Sequence, residues 1–343
     1  MYASHRDACI LARYAHDLSN RLDEFYKAND LSGNVIAYRR LGRSNYDFSA
    51  DAYLYCLEHT PCVVLCFDIT GFFDNLDHGI LKARLKSILG RDELPDDWYK
   101  VFRHVTKFRK VERDSLAAHP IFGLKLKLKN SKPIAKIADI KAAGIEITRN
   151  QHLHGIPQGT PISSSLSNLY MMEIDKMMAS ICASRNALYQ RYSDDILIAC
   201  KLTDEDGLAK ALTSAVERHK LKIKDEKTER AIFSTKRPKP FQYLGFNVSP
   251  QGACIRPGSL SRQWRKLKRN IRRAKGERHA AMKAGEAEKI YTKKLRKKFS
   301  PVGARNFSSY ARRAARAFGS PAILRQVRCL ERAADQAIRE LIT

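Results

Sequence analysis

Acidic residues are the first shortage. Only 36 Asp and Glu stand against 63 Lys and Arg in 343 residues, leaving a formal charge of +27. A chain that basic repels itself when compact, so a polyanionic partner is expected. Paired cysteines are missing as well. The eight Cys (9, 56, 62, 66, 182, 200, 254 and 329) include no CxxC, and several sit inside apolar runs. That speaks against a zinc site or a disulfide framework and for reduced, buried thiols in the cytoplasm. Long hydrophobic runs are absent. The longest, Cys62 to Phe67, stops at Asp68, far short of the roughly 20 apolar residues of a spanning helix. The N-terminal stretch carries charges where a signal peptide has an apolar core, so no membrane partner is expected. No GxGxxG follows a strand and no P-loop glycine pattern occurs, which removes dinucleotide and P-loop readings. No internal repeat or low-complexity tract is visible.

Hydrophobic residues nevertheless make up 44% of the chain, enough for a globular protein of two or three subdomains. The charge is uneven. Arg256 to Thr343 holds 25 basic and 6 acidic residues, a net +19 in 88 positions, against +8 in the 255 before it. One end of the molecule is the anion-binding end.

Periodicity predicts helices over 5–30, from Ser49 to Glu58, from Ser163 to about Cys182 and from Leu208 to Lys220. Val63 to Phe67 is apolar at every position, as suits a strand buried on both faces. Asp77 is placed to cap the next helix and Gly90 to close it. Leu124, Leu126 and Leu128 alternate with lysines, which reads as a strand, either a lysine-protected edge or a wall of a nucleic-acid groove. Leu188 to Tyr192 and Ile196 to Cys200 form a predicted hairpin with Ser193-Asp194-Asp195 at its turn. A short strand is expected from Ile223 to near Lys227, and a strand pair or tight hairpin over Phe241 to Val248. After Pro257 the pattern is helical and basic, with breaks expected at Gly276, Pro301 and Gly319-Ser-Pro321.

Carboxylates occupy costly positions in this pattern. Asp68 ends an apolar strand, and Asp194 and Asp195 are adjacent at a hairpin tip, where they repel one another unless solvated or neutralised. If the two strands share a sheet, three carboxylates converge. Oxygen-only clusters of this kind suit Mg²⁺, and two such ions serve phosphoryl transfer. Taken singly, each motif has a bland alternative: Asp68 as a helix cap, Ser-Asp-Asp as a solvated turn.

They occur in an ordered series. Phe67-Asp-Ile-Thr-Gly-Phe-Phe-Asp74, Gly155-Ile-Pro-Gln-Gly-Thr-Pro-Ile-Ser163, Tyr192-Ser-Asp-Asp195, Lys224-Asp-Glu-Lys-Thr228 and Tyr243-Leu-Gly245 together resemble the motifs of reverse transcriptases. The wording is most similar to the bacterial branch of retron, group II intron and defence-associated enzymes, and it covers roughly residues 34–250. The resemblance implies an α+β right-hand polymerase. Residues 1–66 would be N-terminal helices and fingers, 67–255 the palm with a fingers insertion at about 91–153, and 256–343 a basic helical thumb.

It also implies roles. Asp68 and Asp194 would hold two Mg²⁺ ions with the carbonyl of Ile69 assisting, and Asp195 would add charge nearby. Phe73 falls at the sugar gate that favours dNTPs, with core packing the alternative for Phe72 and Phe73. Gln158 and Gly159 match the turn that contacts the incoming nucleotide. Lys227 matches a lysine near the triphosphate, and Arg39 and Arg43 match the fingers. Tyr243, Leu244 and Gly245 match the primer grip. Arg262, Arg265, Lys266, Arg269, Arg272 and Arg273 would follow duplex phosphates. The implied partners are an RNA template, expected to be a structured noncoding RNA, together with dNTPs and a cDNA product. The tail carries no acidic set resembling an RNase H domain and no mobility module, which favours a retron-like or antiviral role. Untemplated or protein-primed synthesis by the same palm, or a catalytically idle RNA-binding scaffold, are the competing readings.

Overall fold

Stripes of apolar residues make the helices and continuous apolar runs make the central strands. The computed structural model describes residues 4–128, 134–224, 228–236, 239–285, 292–299 and 305–342. Among them are nine strands: β1 (Cys62–Asp68), β2 (Arg109–Lys110), β3 (Thr148–Arg149), β4 (Leu188–Tyr192), β5 (Asp195–Cys200), β6 (Glu229–Phe233), β7 (Phe241–Tyr243), β8 (Phe246–Ser249) and β9 (Gly252–Ile255). The chain divides into two compact units. One comprises Met1–Ser32, Ile69–Lys176 and Thr213–Ile223, and the other Gly33–Asp68, Met177–Leu212 and Lys224–Thr343.

The first unit is mostly helical. Ser4 caps the helix His5–Ala28 by accepting from the Asp7 amide at 3.1 Å. Leu11, Leu18, Leu22 and Tyr26 recur on its buried face, each leucine worth about 1.5–3 kcal/mol of transfer free energy. Tyr14 meets Trp98 edge-on at 4.8 Å and donates to Asp97 at 2.9 Å. Asp77 caps the helix His78–Leu89 through the Ile80 amide at 3.0 Å, and Gly90 closes it in the left-handed conformation. The alternating segment after Phe122 departs from expectation. It is a helix, Pro120–Lys127, not a strand. Pro at its first turn and the His119 ring accepting from the Phe122 amide start it, and these local signals outweigh a two-residue alternation with no neighbouring strand to pair. Arg109 and Lys110 pair instead with Arg149 and Thr148 in the short antiparallel ribbon β2–β3.

The second unit is built on an antiparallel sheet in the order β4-β5-β1-β6. β1 is central, which explains its unbroken apolar run: Cys62, Val63, Val64 and Leu65 are all buried. Residues 34–36 extend the β4 edge, where the Arg191 amide donates to the Asn34 carbonyl at 2.7 Å and the Ile36 amide to the Arg191 carbonyl at 3.1 Å. A second sheet, β7-β8-β9, contributes Phe241, Phe246 and Val248 to a core shared with the helix Asn45–Glu58 and with Phe318 and Val327. Asp195 is not a turn residue; it opens β5 opposite Tyr192, leaving Ser193 and Asp194 as the two-residue turn. Ile223 makes only an isolated bridge, to Ile69 within the first unit, and the next strand starts at Glu229.

The basic tail forms helices Pro257–Lys283, Lys293–Phe299, Phe307–Phe318 and Pro321–Ile342. Gly276 does not break the first of them. Its stripe of Trp264, Leu267, Ile271 and Ala274 packs with Leu330, Ala334 and Ile338, and that packing exceeds the roughly 1 kcal/mol cost of a helical glycine. Gly319 ends the third helix in the left-handed conformation, as its sequence context suggests; Pro301 lies outside the described residues. Among the described residues, no helix is long and apolar enough to cross a membrane.

Candidate active site

The sheet of the second unit collects the acids. β1 and β5 run antiparallel in a register that ends with Asp68 opposite Asp195. Residues directly opposite project to the same face, with Cβ atoms roughly 4.5–5.5 Å apart. Asp194 lies in the two-residue turn, immediately before Asp195. Asp68 and Asp194 are half-buried and Asp195 is exposed. The Lys224 amide donates to the Asp68 carbonyl at 2.8 Å, fixing the end of β1.

The turn itself is held in an uncommon conformation. Ser193 has φ +62°, a left-handed position costing roughly 1–2 kcal/mol for a residue with a Cβ. Two side chains secure it. Arg191, fully buried, donates from Nη1 to the Ser193 carbonyl at 3.0 Å, and the Tyr38 hydroxyl donates to Ser193 Oγ at 3.1 Å. Sequence reasoning assigned a role to neither residue. The available signal was an arginine in the middle of a predicted buried strand.

The surrounding chemistry is acidic and partly dry. Burial pushes the Cys66 thiol up, and Glu229 and Asp195 push it further. Burial likewise raises the Tyr243 hydroxyl, with Cys66, Asp195 and Asp51 adding to it. That hydroxyl is buried without a hydrogen-bond partner among the described residues. The Tyr243 ring is therefore core, and the turn of Leu244 and Gly245, at φ +46° and +92°, is half-buried, with Leu244 packed against the same core. Positive φ at both central residues is the hairpin geometry that matches strand twist. Ser49 Oγ donates to the Tyr243 carbonyl at 3.3 Å.

The arginines before β1 are partly engaged. Arg43 pairs with Asp51 at 2.7 Å and lies 4.7 Å over the Phe48 ring. Arg39 donates to the Val35 carbonyl at 2.8 Å. Arg40, between them, is exposed. Lys227 lies outside the described residues. Arg262, Arg265, Lys266, Arg269, Arg272 and Arg273 all stand exposed on the helix Pro257–Lys283, away from its packed stripe. Arg273 is paired with Glu277 at 2.7 Å.

Ile69, Phe73, Gln158 and Gly159 belong to the first unit. Ile69 is buried and bridges to Ile223. Phe72 is buried and Phe73 only half so, their rings 5.5 Å apart, which divides core packing from a presented ring. The Ile156 amide donates to the Phe73 carbonyl at 2.9 Å, and the Gly155 amide to the Leu76 carbonyl at 2.9 Å. These bonds tie the Phe73 turn to the loop that carries Gln158 and Gly159, both exposed, with Gly159 at φ +96°. Gly155 cannot be replaced freely. Its φ is +89°, and a Cβ there would lie 2.8 Å from the Asp74 carbonyl oxygen.

The donor set tests whether a cation fits. Among the described residues, no three His, Cys, Asp or Glu are gathered closely enough to enclose a metal ion. Asp68 and Asp195, paired in register, share one face of the sheet, Asp194 stands beside them in sequence, and all three offer oxygen alone. Oxygen donors of this kind match a hard divalent ion that keeps part of its water shell, not a closed structural site.

Two telomerase structures are similar, that from Candida albicans in complex with a telomeric RNA fragment and the apo enzyme from Candida tropicalis. They share 13% and 15% identity with this chain and cover 70% of it, each with a TM-score of 0.45. This chain spans 37% and 39% of their lengths. No curated protein matches. The family profile described as reverse transcriptase (RNA-dependent DNA polymerase) matches residues 13–248, a stretch that holds every strand of the acid-bearing sheet. Helices around an antiparallel sheet with acids at one end are the right-hand polymerase fold class, and the chain belongs to the reverse transcriptase family.

Proposed function

We propose that this protein is an RNA-directed DNA polymerase of the bacterial, retron-like and defence-associated branch, copying a structured noncoding RNA into cDNA in the cytoplasm. The observation that carries the reading is the register that sets Asp68 opposite Asp195, with Asp194 on a turn locked by Arg191 and Tyr38.

On this reading Asp68, Asp194 and Asp195 hold Mg²⁺, with the carbonyl of Ile69 assisting. When bound, the ions would activate the attacking hydroxyl and stabilise the leaving oxygen. Phe73 excludes a ribose 2′-hydroxyl, and the Gln158–Gly159 turn lets backbone approach the incoming dNTP. Arg39, Arg43 and Lys227 meet the triphosphate, although Arg43 must first loosen its pair with Asp51. The Leu244–Gly245 turn positions a primer end, and the exposed cations of Pro257–Lys283 follow duplex phosphates without reading sequence. Residues 1–66, 67–255 and 256–343 then serve as fingers, palm and thumb.

The test is extension of a primer on a defined RNA template, with the product sequenced. DNA complementary to the template supports the reading. A homopolymer would replace it with untemplated addition, and RNA binding with no synthesis would leave a scaffold. The defence role is tested by phage challenge of bacteria expressing the protein with its neighbouring noncoding RNA; equal plaque numbers with wild type and an Asp194→Ala variant would remove it.

A further inference from the structure

The segment between the Asp68 and Gly155 motifs carries charge that none of the assigned roles uses. Residues 103–113 hold five cations (Arg103, Lys107, Arg109, Lys110, Arg113) and one acid, Glu112. Within the first unit Arg109 and Lys110 of this stretch form strand β2 of the ribbon β2–β3, whose register sets Arg109 directly opposite Arg149. Both are exposed, and neither has an ion-pair partner among the described residues. Like charges directly opposite on one ribbon face destabilise it. A two-residue ribbon has little else to offset that, yet it is pinned firmly. The Asn150 amide donates to the Phe108 carbonyl at 2.9 Å, and its side chain donates to the carbonyls of Thr106 at 2.9 Å and His154 at 3.0 Å. The arginines are thus held together against their own repulsion.

Beside the ribbon is a cavity of about 440 Å³, bordered by Lys110, Arg149, His152 and His154, with Asp74 and Glu112 also on its wall. Its rings are fixed in place. His154 Nδ1 donates to the Asp74 carbonyl at 2.8 Å, and His152 stacks on His154 with centroids 5.1 Å apart and planes at 23°. Both histidines are exposed. Paired arginines for phosphates and an anchored, exposed ring stack for a base are the two elements of a single-strand platform.

We infer that the β2–β3 ribbon and the His152–His154 stack form a binding site for single-stranded nucleic acid, separate from the duplex-tracking helix of the tail. The site takes phosphates on Arg109 and Arg149 and a base against His152. Lys110 stays with Glu112, its partner at 2.9 Å. The inference rests on the reading of this chain as a nucleic-acid polymerase. Binding is therefore measured without dNTPs, so failure of synthesis and failure of this site are separate results.

The experiment titrates the full chain with a short labelled single-stranded RNA and, in parallel, an RNA–DNA duplex, across salt concentrations, with thermal melting of each variant. Arg109→Thr with Arg149→Thr is expected to weaken the single strand and reduce its salt slope by roughly 0.7 for each phosphate no longer neutralised. At 0.15 M salt that corresponds to about fourfold in affinity per phosphate. Duplex affinity should hold, and the melting temperature should stay level or rise, because the repulsion is gone. Arg109→Glu is the second variant; it creates an attractive cross-strand pair, so it should raise stability while weakening the strand about as much as the double Thr variant, since each changes the charge by two. His152→Ala should weaken a strand with bases and spare an abasic one. Unchanged single-strand affinity and slope in a folded Arg109→Glu protein would overturn the site. Displacement of the RNA by polyglutamate as readily as by competitor RNA would overturn it too, in favour of an acidic polypeptide.

Discussion

Asp68 and Asp195 face one another at the last register position of β1 and β5, two carboxylates on one face of one sheet. Two carboxylates on one face repel one another unless a cation lies close. Asp194 is the next residue back, on the turn held by Arg191 and Tyr38.

Replacing Asp194 and Asp195 together by Ala should abolish Mg²⁺-dependent dNTP incorporation while leaving RNA affinity nearly intact. Losing even an outer partner of a metal ligand costs about 10–100-fold, so loss of the carboxylates themselves should exceed that. Primer extension and a binding titration on the same preparation check it; wild-type synthesis by the double variant would end the two-ion assignment.

Phe72 and Phe73 should separate cleanly. Phe72→Ala removes a ring only 3% exposed and should cost about 3–5 kcal/mol of stability. Phe73→Ala, half-exposed, should cost less and reduce the preference for dNTP over rNTP. Competition between the two nucleotide types, alongside thermal melting, measures both. An unchanged preference in folded Phe73→Ala would make that ring core.

Gly155→Ala should destabilise the loop before Gln158 by roughly 1–3 kcal/mol, since the position combines left-handed φ with a close carbonyl. The melting temperature should fall and the KM for dNTP rise. A neutral substitution would show that the Asp74 carbonyl moves aside readily.

Acid should loosen the same loop through His78. Burial holds the His78 pKa below its ordinary 6.5, even though its ring donates from Nε2 to the Gly155 carbonyl at 2.8 Å. With the folded value depressed, the unfolded chain binds the proton first. The contribution is complete above the unfolded value and is lost as pH falls through the folded one. Stability should therefore decline below about pH 6.5, and His78→Gln should flatten that decline in melting curves taken across pH.

Charge reversal on the tail should act on affinity alone. Arg265, Arg269 and Arg272 are exposed on one helix and spaced by four and three residues. Changing all three to Glu should weaken RNA–DNA duplex binding across unrelated sequences and flatten the salt slope by roughly 0.7–0.9 for each phosphate no longer neutralised. Salt-dependent anisotropy titrations read this directly. An unchanged slope would reduce the stripe to a solvated face.

Local information was sufficient wherever neighbours in sequence do the work. The unbroken apolar run of β1, the Asp77 cap, the Gly90 stop and the hairpin around Ser193 are all decided by residues within a few positions of one another. So is the amphipathic pattern of the basic helices. The ordered motifs from Asp68 to Gly245 identified the family for the same reason, since each is a short local signature. Local alternation failed at Leu124 to Leu128, where a helix start prevailed because no strand lay alongside to pair. Gly276 likewise did not interrupt its helix, because burial of Leu267 and its neighbours outweighs one glycine. What only the tertiary structure decided is register and confinement. The pairing that sets Asp68 against Asp195, the burial of Arg191 beneath the Ser193 turn, the division of labour between Phe72 and Phe73, and the confrontation of Arg109 with Arg149 each join residues that are adjacent only after folding. A shift of one residue in any of these registers would leave the sequence signature unchanged and turn the side chains to the opposite face.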